Sequence, residues 1–225
     1  MQKLVVLSGS GISAESGIRT FRDMGGLWEE YDVTEVASPV AWQNNRELVL
    51  RFYNERRKAL LEAQPNAAHK GLAALEEKFD VRIITQNVDD LHERAGSTKV
   101  LHLHGELRKA RCTVNEDDVY DIEGWELKQG DLSDAGHQLR PHVVWFGEMV
   151  PAIGEAVPLV HAADILLVIG TSLNVYPAAG LVHYAQAGIP VYVIDPGDPR
   201  GIGGMDVTFI NKTATEGIME FMDKV

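Results

Sequence analysis

Cysteine is almost absent: Cys112 is the only one in 225 residues. One thiol excludes an internal disulfide framework, and it excludes a structural zinc site built on two or more thiolates. Zinc is therefore not expected, and Cys112 reads as a buried or bystander thiol. Long apolar runs are missing as well. None approaches the roughly 20 residues that a membrane-spanning helix needs. The chain opens almost directly on an apolar strand, which leaves no room for a signal or transit segment, so a cytoplasmic protein without membrane contact is expected. Basic residues are outnumbered: 21 Lys and Arg against 33 Asp and Glu give a formal charge of −12. That balance argues against general nucleic-acid binding and suits basic partners such as lysine-rich protein segments, although solubility alone would account for it equally well.

What is present is a globular composition, with 45% apolar and 24% charged residues. The length suffices for one α/β domain with an insert, or for two small lobes. The apolar run Leu4-Val5-Val6-Leu7 is short enough for a buried parallel strand. It leads into Ser8-Gly9-Ser10-Gly11 and then Ile12 to Ser16, which can open a helix. A strand, a glycine turn and a helix start make a phosphate cradle: backbone approaches closely, N–H groups point outward, and the helix dipole favours an anion. Gly9 and Gly11 fit G-x-G and Ala14 takes the third, small position. An ordinary tight turn is the other reading.

Residues 19–45 are irregular, with Gly25-Gly26, Leu27-Trp28 and Ser38-Pro39. They read as a long loop with short helical pieces, either a functional cover or an excursion held down by Trp28 and Trp42. From Asn45 to Ala63 the period is helical, and Val49, Phe52, Tyr53, Arg56 and Leu60 share one face. Arg56 is a fixed charge on that apolar stripe and needs an anion or a route to solvent. With Tyr53 one turn away, it can receive a carboxylate through its guanidinium fork. It can also snorkel, or bond an acid such as Glu29 or Glu30; Arg57 points elsewhere. A helix over Asn66 to Lys78 and a strand over Val81 to Thr85 follow. The strand ends in Gln86-Asn87-Val88-Asp89, polar residues where open α/β sheets bind ligands, though Asn87 or Asp89 could simply cap the next helix. Val100 to Glu106 alternates, so His102 and His104 point the same way if this is one strand. Such a pair suits proton transfer, or metal binding if further ligands cluster. Residues 108–138 are acidic and read as a metal-free lobe held by Val119, Tyr120, Ile122, Trp125 and Leu127. Strands at 163–170, 189–194 and 207–210 and a final helix complete the chain.

Gly9 to Asp23, GSGISAESGIRTFRD, strongly resembles the signature of the sirtuins, the NAD-dependent protein-lysine deacylases; Ser10 stands where the family usually has Ala. Thr85 to Asp89, the His104-Gly105 pair, Leu139 to Glu148 and Gly170-Thr171-Ser172 match further blocks, so the resemblance covers nearly the whole chain. It implies a Rossmann-like parallel sheet with helices on both faces, plus a small lobe from two insertions. In this reading residues 1–225 form a single catalytic domain. The large lobe holds 1–18, 64–107 and 139–225, and the small lobe comes from 19–63 and 108–138. NAD+ is the implied co-substrate. By resemblance, Gly9, Ser10, Gly11, Ile12, Ser13, Ala14 and Glu15 hold it, with Thr20, Phe21, Arg22 and Trp28 closing over it. Gln86, Asn87, Val88 and Asp89 face the nicotinamide and its ribose. Gly170, Thr171 and Ser172 face the phosphates and adenosine. Asp195, Pro196, Gly197 and Ala214 lie at the adenosine end, with Asp195 where many members have Asn.

The same resemblance implies His104 as general base and His102 as structural, with Val144, Phe146 and Gly147 bordering an acyl-lysine tunnel whose backbone pairs with an extended peptide. One branch carries Tyr-x-x-Arg in that tunnel and favours succinyl, malonyl or glutaryl lysine; Tyr53-Asn54-Glu55-Arg56 fits it. The chain departs from the family at its zinc: only Cys112 of two Cys-x-x-Cys pairs remains, with Asn115 in its partner's place. The expected activity is removal of acyl groups from lysine, giving nicotinamide and O-acyl-ADP-ribose. A protein ADP-ribosyltransferase and a non-catalytic NAD- or peptide-binding module are the alternatives.

Overall fold

The computed structural model describes residues 1–19, 33–197 and 206–225. The expectations placed on Thr20, Phe21, Arg22 and Trp28 therefore lie outside the described residues. In chain order the elements are β1 (Lys3–Ser8), α1 (Gly11–Ala14), α2 (Val33–Val36), α3 (Pro39–Asn44), α4 (Arg46–Glu62), α5 (Ala67–Ala74), β2 (Asp80–Thr85), α6 (Leu91–Arg94), β3 (Val100–His102), β4 (Gly105–Cys112), β5 (Val119–Asp121), β6 (Leu139–Val143), α7 (Ile153–His161), β7 (Ile165–Ile169), β8 (Val191–Ile194), β9 (Val207–Ile210) and α8 (Ala214–Met222). Short 3-10 turns cover Leu75–Glu77 and Ala178–Tyr184.

Six strands form a parallel sheet in the order β3-β2-β1-β7-β8-β9, the Rossmann-like arrangement expected from the sequence. Its central strands, β1 and β7, are buried on both sides. Leu4 and Val6 of β1 face α5 and α8, where they meet Leu72, Ile218 and Phe221. Val5 and Leu7 face α7 and the 178–184 turn, against Val160 and Val182. Register aligns the strand ends: Ser8 pairs with Thr85 on one side and Ile169 on the other, and Ile169 pairs with Ile194. Chain order reverses between β1 and β7, so a crevice opens there at the C-terminal edge, the position where such sheets bind ligands.

A second sheet, ordered β5-β4-β6, is antiparallel. It packs with α4 around Phe52, Leu107, Cys112, Leu139 and Trp145. Ile122 and Leu127 join this core as expected, but Val119 and Trp125 do not: each is 40% exposed. The buried apolar surface comes instead from across the chain, from α3 and α4. Asn45 caps α4, its side-chain oxygen accepting from the Leu48 N–H at 3.1 Å. Arg57, which points away from the Arg56 face, is fully buried at the joint between α4 and this lobe. Its guanidinium donates to the carbonyls of Leu107 (2.6 Å) and Trp125 (2.8 Å) and to Asn54 Oδ1 (2.8 Å).

Residues 100–106 are not one strand. β3 ends at His102 in the large sheet, and β4 begins at Gly105 in the small one. Gly105 makes the corner: its φ is +81° and a side chain there would run into the His142 carbonyl. The expectation that His102 and His104 share a strand face is thus corrected, and His104 sits at the bend between the two sheets.

Candidate functional site

The crevice between the sheets is a cavity of about 830 Å³ that joins all the strand ends described above. Its first wall is the β1–α1 turn. The glycines here serve a different purpose from the one read in the sequence. The Gly9 N–H donates to the Ile169 carbonyl (3.1 Å) and the Gly11 N–H to the Gly170 carbonyl (2.8 Å), so neither points outward. A Cβ on Gly9 would stand 2.6 Å from Thr171 Cβ, and one on Gly11 2.7 Å from the Gly170 oxygen. Two glycine turns, after β1 and after β7, interlock at the point of strand reversal. Gly9, Ser10, Gly11, Ala14 and Glu15 still line the cavity, as do Gly170, Thr171 and Ser172. Ile12 is fully buried in the sheet core, and Ser13 lies buried behind the wall. Glu15 accepts from the Thr215 N–H (3.0 Å) and from the hydroxyls of Thr213 (3.1 Å) and Thr215 (2.6 Å), fastening α1 to the start of α8. Ala214, Asp195 and Pro196 complete that end. Gly197 stands beside it, donating to Asp195 Oδ1 at 2.8 Å.

The floor is the β2 end. Gln86, Asn87, Val88 and Asp89 all face the cavity. Asn87 Nδ2 donates to the Gly9 carbonyl (3.2 Å) and to Ser13 Oγ (3.1 Å), and Ser13 Oγ donates to Asp89 Oδ2 (2.9 Å). Asp89 also accepts from the Leu91 N–H at 3.2 Å, so it caps the following turn while facing the cavity. Burial pushes the pKa of Asp89 up, against the pull of Ser13. His104 lies beside this floor. Its Nδ1 is 2.9 Å from the Gln86 carbonyl. A carbonyl only accepts, so Nδ1 carries the proton and Nε2 keeps its lone pair. Burial lowers the His104 pKa, with the Gln86 bond acting the other way. The neutral ring is therefore the resting form near neutral pH, which suits a base. His102 differs. It bonds the Asn87 carbonyl (2.9 Å) and Glu93 (2.8 Å); burial opposes its charge, but the Glu93 carboxylate prevails and raises its pKa.

Behind the floor lies a buried polar layer that the sequence did not reveal. His69 and His92 meet edge to face, 5.0 Å apart, and both are fully buried. His92 Nε2 sits 3.0 Å from Ser8 Oγ, and His69 Nε2 sits 3.5 Å from Ser13 Oγ. His69 also completes a capping box with Asn66 at the start of α5. Burial drives the His69 pKa down to about 4 and that of His92 well below the ordinary value. A depressed folded pKa means that the unfolded chain binds more protons in acid, so stability falls as pH drops below the ordinary histidine value. His69 alone should remove about 2 kcal/mol of stability between about pH 7 and about pH 5. Urea unfolding at the two pH values measures the loss, and it should shrink by about that amount in His69→Asn.

The remaining wall is α4 and the segment that follows β6. Tyr53 and Arg56 of α4 face the cavity, as do Val144, Phe146 and Gly147. Arg56 is half-buried, with its guanidinium 5.5 Å from the Phe52 ring centre. The Val144 N–H donates to the His104 carbonyl (2.9 Å) and the Phe146 N–H to the Ala37 carbonyl (3.0 Å). An added peptide strand would use the other main-chain groups of this segment. Cys112 is buried in the lobe, and its sulfur accepts from the N–H groups of Val114 (3.4 Å) and Asn115 (3.5 Å). Among the described residues, no group of three or more His, Cys, Asp or Glu could hold a metal ion.

The cleft is lined by small and polar residues along the sheet edge and by apolar side chains such as Phe52 and Val144, with His104 among them. The Sir2 family model matches residues 9–177. A Helicobacter pylori strain J99 protein named NAD-dependent protein deacylase is 53% identical over 225 residues, covering 100% of this chain and 96% of its own. A Bacteroides thetaiotaomicron protein of the same name is also 53% identical, covering 98% and 96%. Among solved structures, a Sir2 homologue–NAD complex superposes with a TM-score of 0.90 at 41% identity, covering 99% of this chain and 88% of that one. The chain belongs to the Sir2 family.

Proposed function

We propose that this protein is an NAD-dependent protein-lysine deacylase that favours succinyl and malonyl groups over acetyl. The observation that carries the reading is one cavity lined by His104, by the β2 floor and by the Tyr53–Arg56 pair. NAD supplies the ribose carbon that accepts the acyl oxygen as nicotinamide departs. The strand-end turns at Gly9–Glu15 and Gly170–Ser172 hold its phosphates and adenosine, and Asn87 and Asp89 hold the nicotinamide ribose. His104 Nε2, unprotonated, takes a proton from a ribose hydroxyl. Val144, Phe146 and Gly147 border the lysine chain. Arg56 meets the terminal carboxylate of the acyl group through a charge-assisted bond, in a place where water competes weakly. The protein partner is a lysine-bearing peptide, whose charge suits this acidic chain, and the site of action is the cytoplasm. A related structure contains a deacetylated p53 peptide with 3'-O-acetyl ADP-ribose, which supports the pairing of peptide and ADP-ribose in one cleft.

The test is one peptide carrying either succinyl-lysine or acetyl-lysine, with and without NAD. Turnover should need NAD and should be faster for succinyl. Equal or better acetyl turnover would return Arg56 to a structural role.

A further inference from the structure

Tyr53 is held by a residue 92 positions away. The indole Nε1–H of Trp145 donates to Tyr53 Oη at 3.0 Å, and both residues are buried. An indole nitrogen is a donor only, so this bond occupies an acceptor side of the phenol oxygen. The phenolic hydrogen is then directed elsewhere, and Tyr53 lines the cavity. Burial pushes the Tyr53 pKa up to about 12, which keeps that hydrogen in place.

The indole itself is fixed on several sides. The Arg140 guanidinium lies 3.3 Å from its ring centre, and Trp42 stacks at a tilt 5.8 Å away. Glu148 accepts from the Trp145 main-chain N–H (2.7 Å) and from Arg140 at 2.6 and 3.1 Å. Arg140 in turn donates to the Val143 carbonyl at 3.0 Å. A buried ion pair rarely adds net stability but can fix a single arrangement. Here the arrangement it fixes is the direction of one N–H.

We infer that Trp145 is a positioning residue for acyl selectivity: it orients the Tyr53 hydroxyl as a donor into the cavity, so that Tyr53 and Arg56 present donors side by side. Such a surface favours an acyl group ending in an anionic acceptor and gives little to a methyl end. The inference rests on the acidic-acyl reading above. It adds that selectivity depends on an indole just after β6 as well as on the α4 pair.

The test is a cycle of Trp145→Phe, Tyr53→Phe and the double variant, each assayed on succinyl and acetyl forms of one peptide at saturating NAD. The quantity read is the ratio of kcat/KM values. Trp145→Phe keeps an aromatic ring and removes the N–H. The ratio should fall roughly fivefold, the usual worth of a neutral hydrogen bond, through KM for the succinyl peptide. In the Tyr53→Phe background, Trp145→Phe should cause no further fall, since the hydroxyl it orients is gone. An unchanged ratio in Trp145→Phe, or losses that multiply in the double variant, would overturn the inference while leaving the acidic-acyl reading intact. A wild type with no succinyl preference would overturn both. If Trp145→Phe does not fold, indole ¹⁵N NMR of the wild type decides. The Trp145 N–H should stay protected from exchange when the succinyl peptide binds; lost protection would mean that Tyr53 turns away from it.

Discussion

Replacing His104 with Ala should lower NAD-dependent deacylation by roughly 10²- to 10⁴-fold, the usual contribution of a positioned general base. The effect follows from the proton inventory of the ring. Nδ1 is committed to the Gln86 carbonyl at 2.9 Å, which leaves Nε2 unprotonated in the cavity. His104 is part-buried at the corner that Gly105 turns between two sheets, so its removal opens space in the cleft without emptying either core. The variant should therefore unfold at a temperature close to that of the wild type. The wild-type pH profile carries the same signature. Burial lowers the His104 pKa, so kcat/KM should hold steady down to about pH 6.5 and decline only below it. An acid limb well above that value would assign the titration to another group. Unaffected turnover in His104→Ala would remove this residue from the chemistry.

The second large effect concerns acyl choice. Arg56→Met keeps the length and apolar stem of the side chain and removes its charge. Succinyl turnover should drop about 10- to 150-fold, the worth of a charge-assisted bond of roughly 1.5–3 kcal/mol. Acetyl turnover should change far less, because an acetyl methyl has nothing to offer a guanidinium. Burial already disfavours the Arg56 charge, with Tyr53 and Asp89 opposing that trend. A carboxylate arriving beside it thus meets a cation that water stabilises poorly, which strengthens the contrast between the two acyl groups. Parallel losses for both peptides would show that the substitution had disturbed the lobe instead, and the acyl preference would need another source.

Much of this site is legible in the sequence because it rests on local rules. Four apolar residues, a glycine turn and a polar strand end locate the crevice through the general behaviour of parallel sheets. Helical period alone puts Tyr53 and Arg56 on one face of α4. What could not be read depends on distant parts of the chain meeting. Gly9 and Gly11 look suited to a ligand, yet their N–H groups are taken by Ile169 and Gly170, a contact across about 160 residues. The alternation of residues 100–106 is real as a pattern, but Gly105 breaks it because the chain must leave one sheet for another. The helical period says of Arg57 only that it points away from the Arg56 face. It is buried because three carbonyl or amide oxygens converge on it from Asn54, Leu107 and Trp125. The histidine layer of His69 and His92 likewise joins two helices whose partners no spacing rule connects.

The most direct test of the central claim is the mass of a succinyl-lysine peptide after incubation with the protein and NAD, read together with the nicotinamide released. One cleft is lined by the strand-end turns, by His104 and by the Tyr53–Arg56 pair, and in the proposed function these serve the dinucleotide, the base and the acyl group in turn. The peptide should therefore lose its succinyl group, one nicotinamide should appear for each lysine freed, and neither should occur without NAD. A peptide or protein that instead gains the mass of ADP-ribose, or an acyl group lost in the absence of NAD, would contradict it.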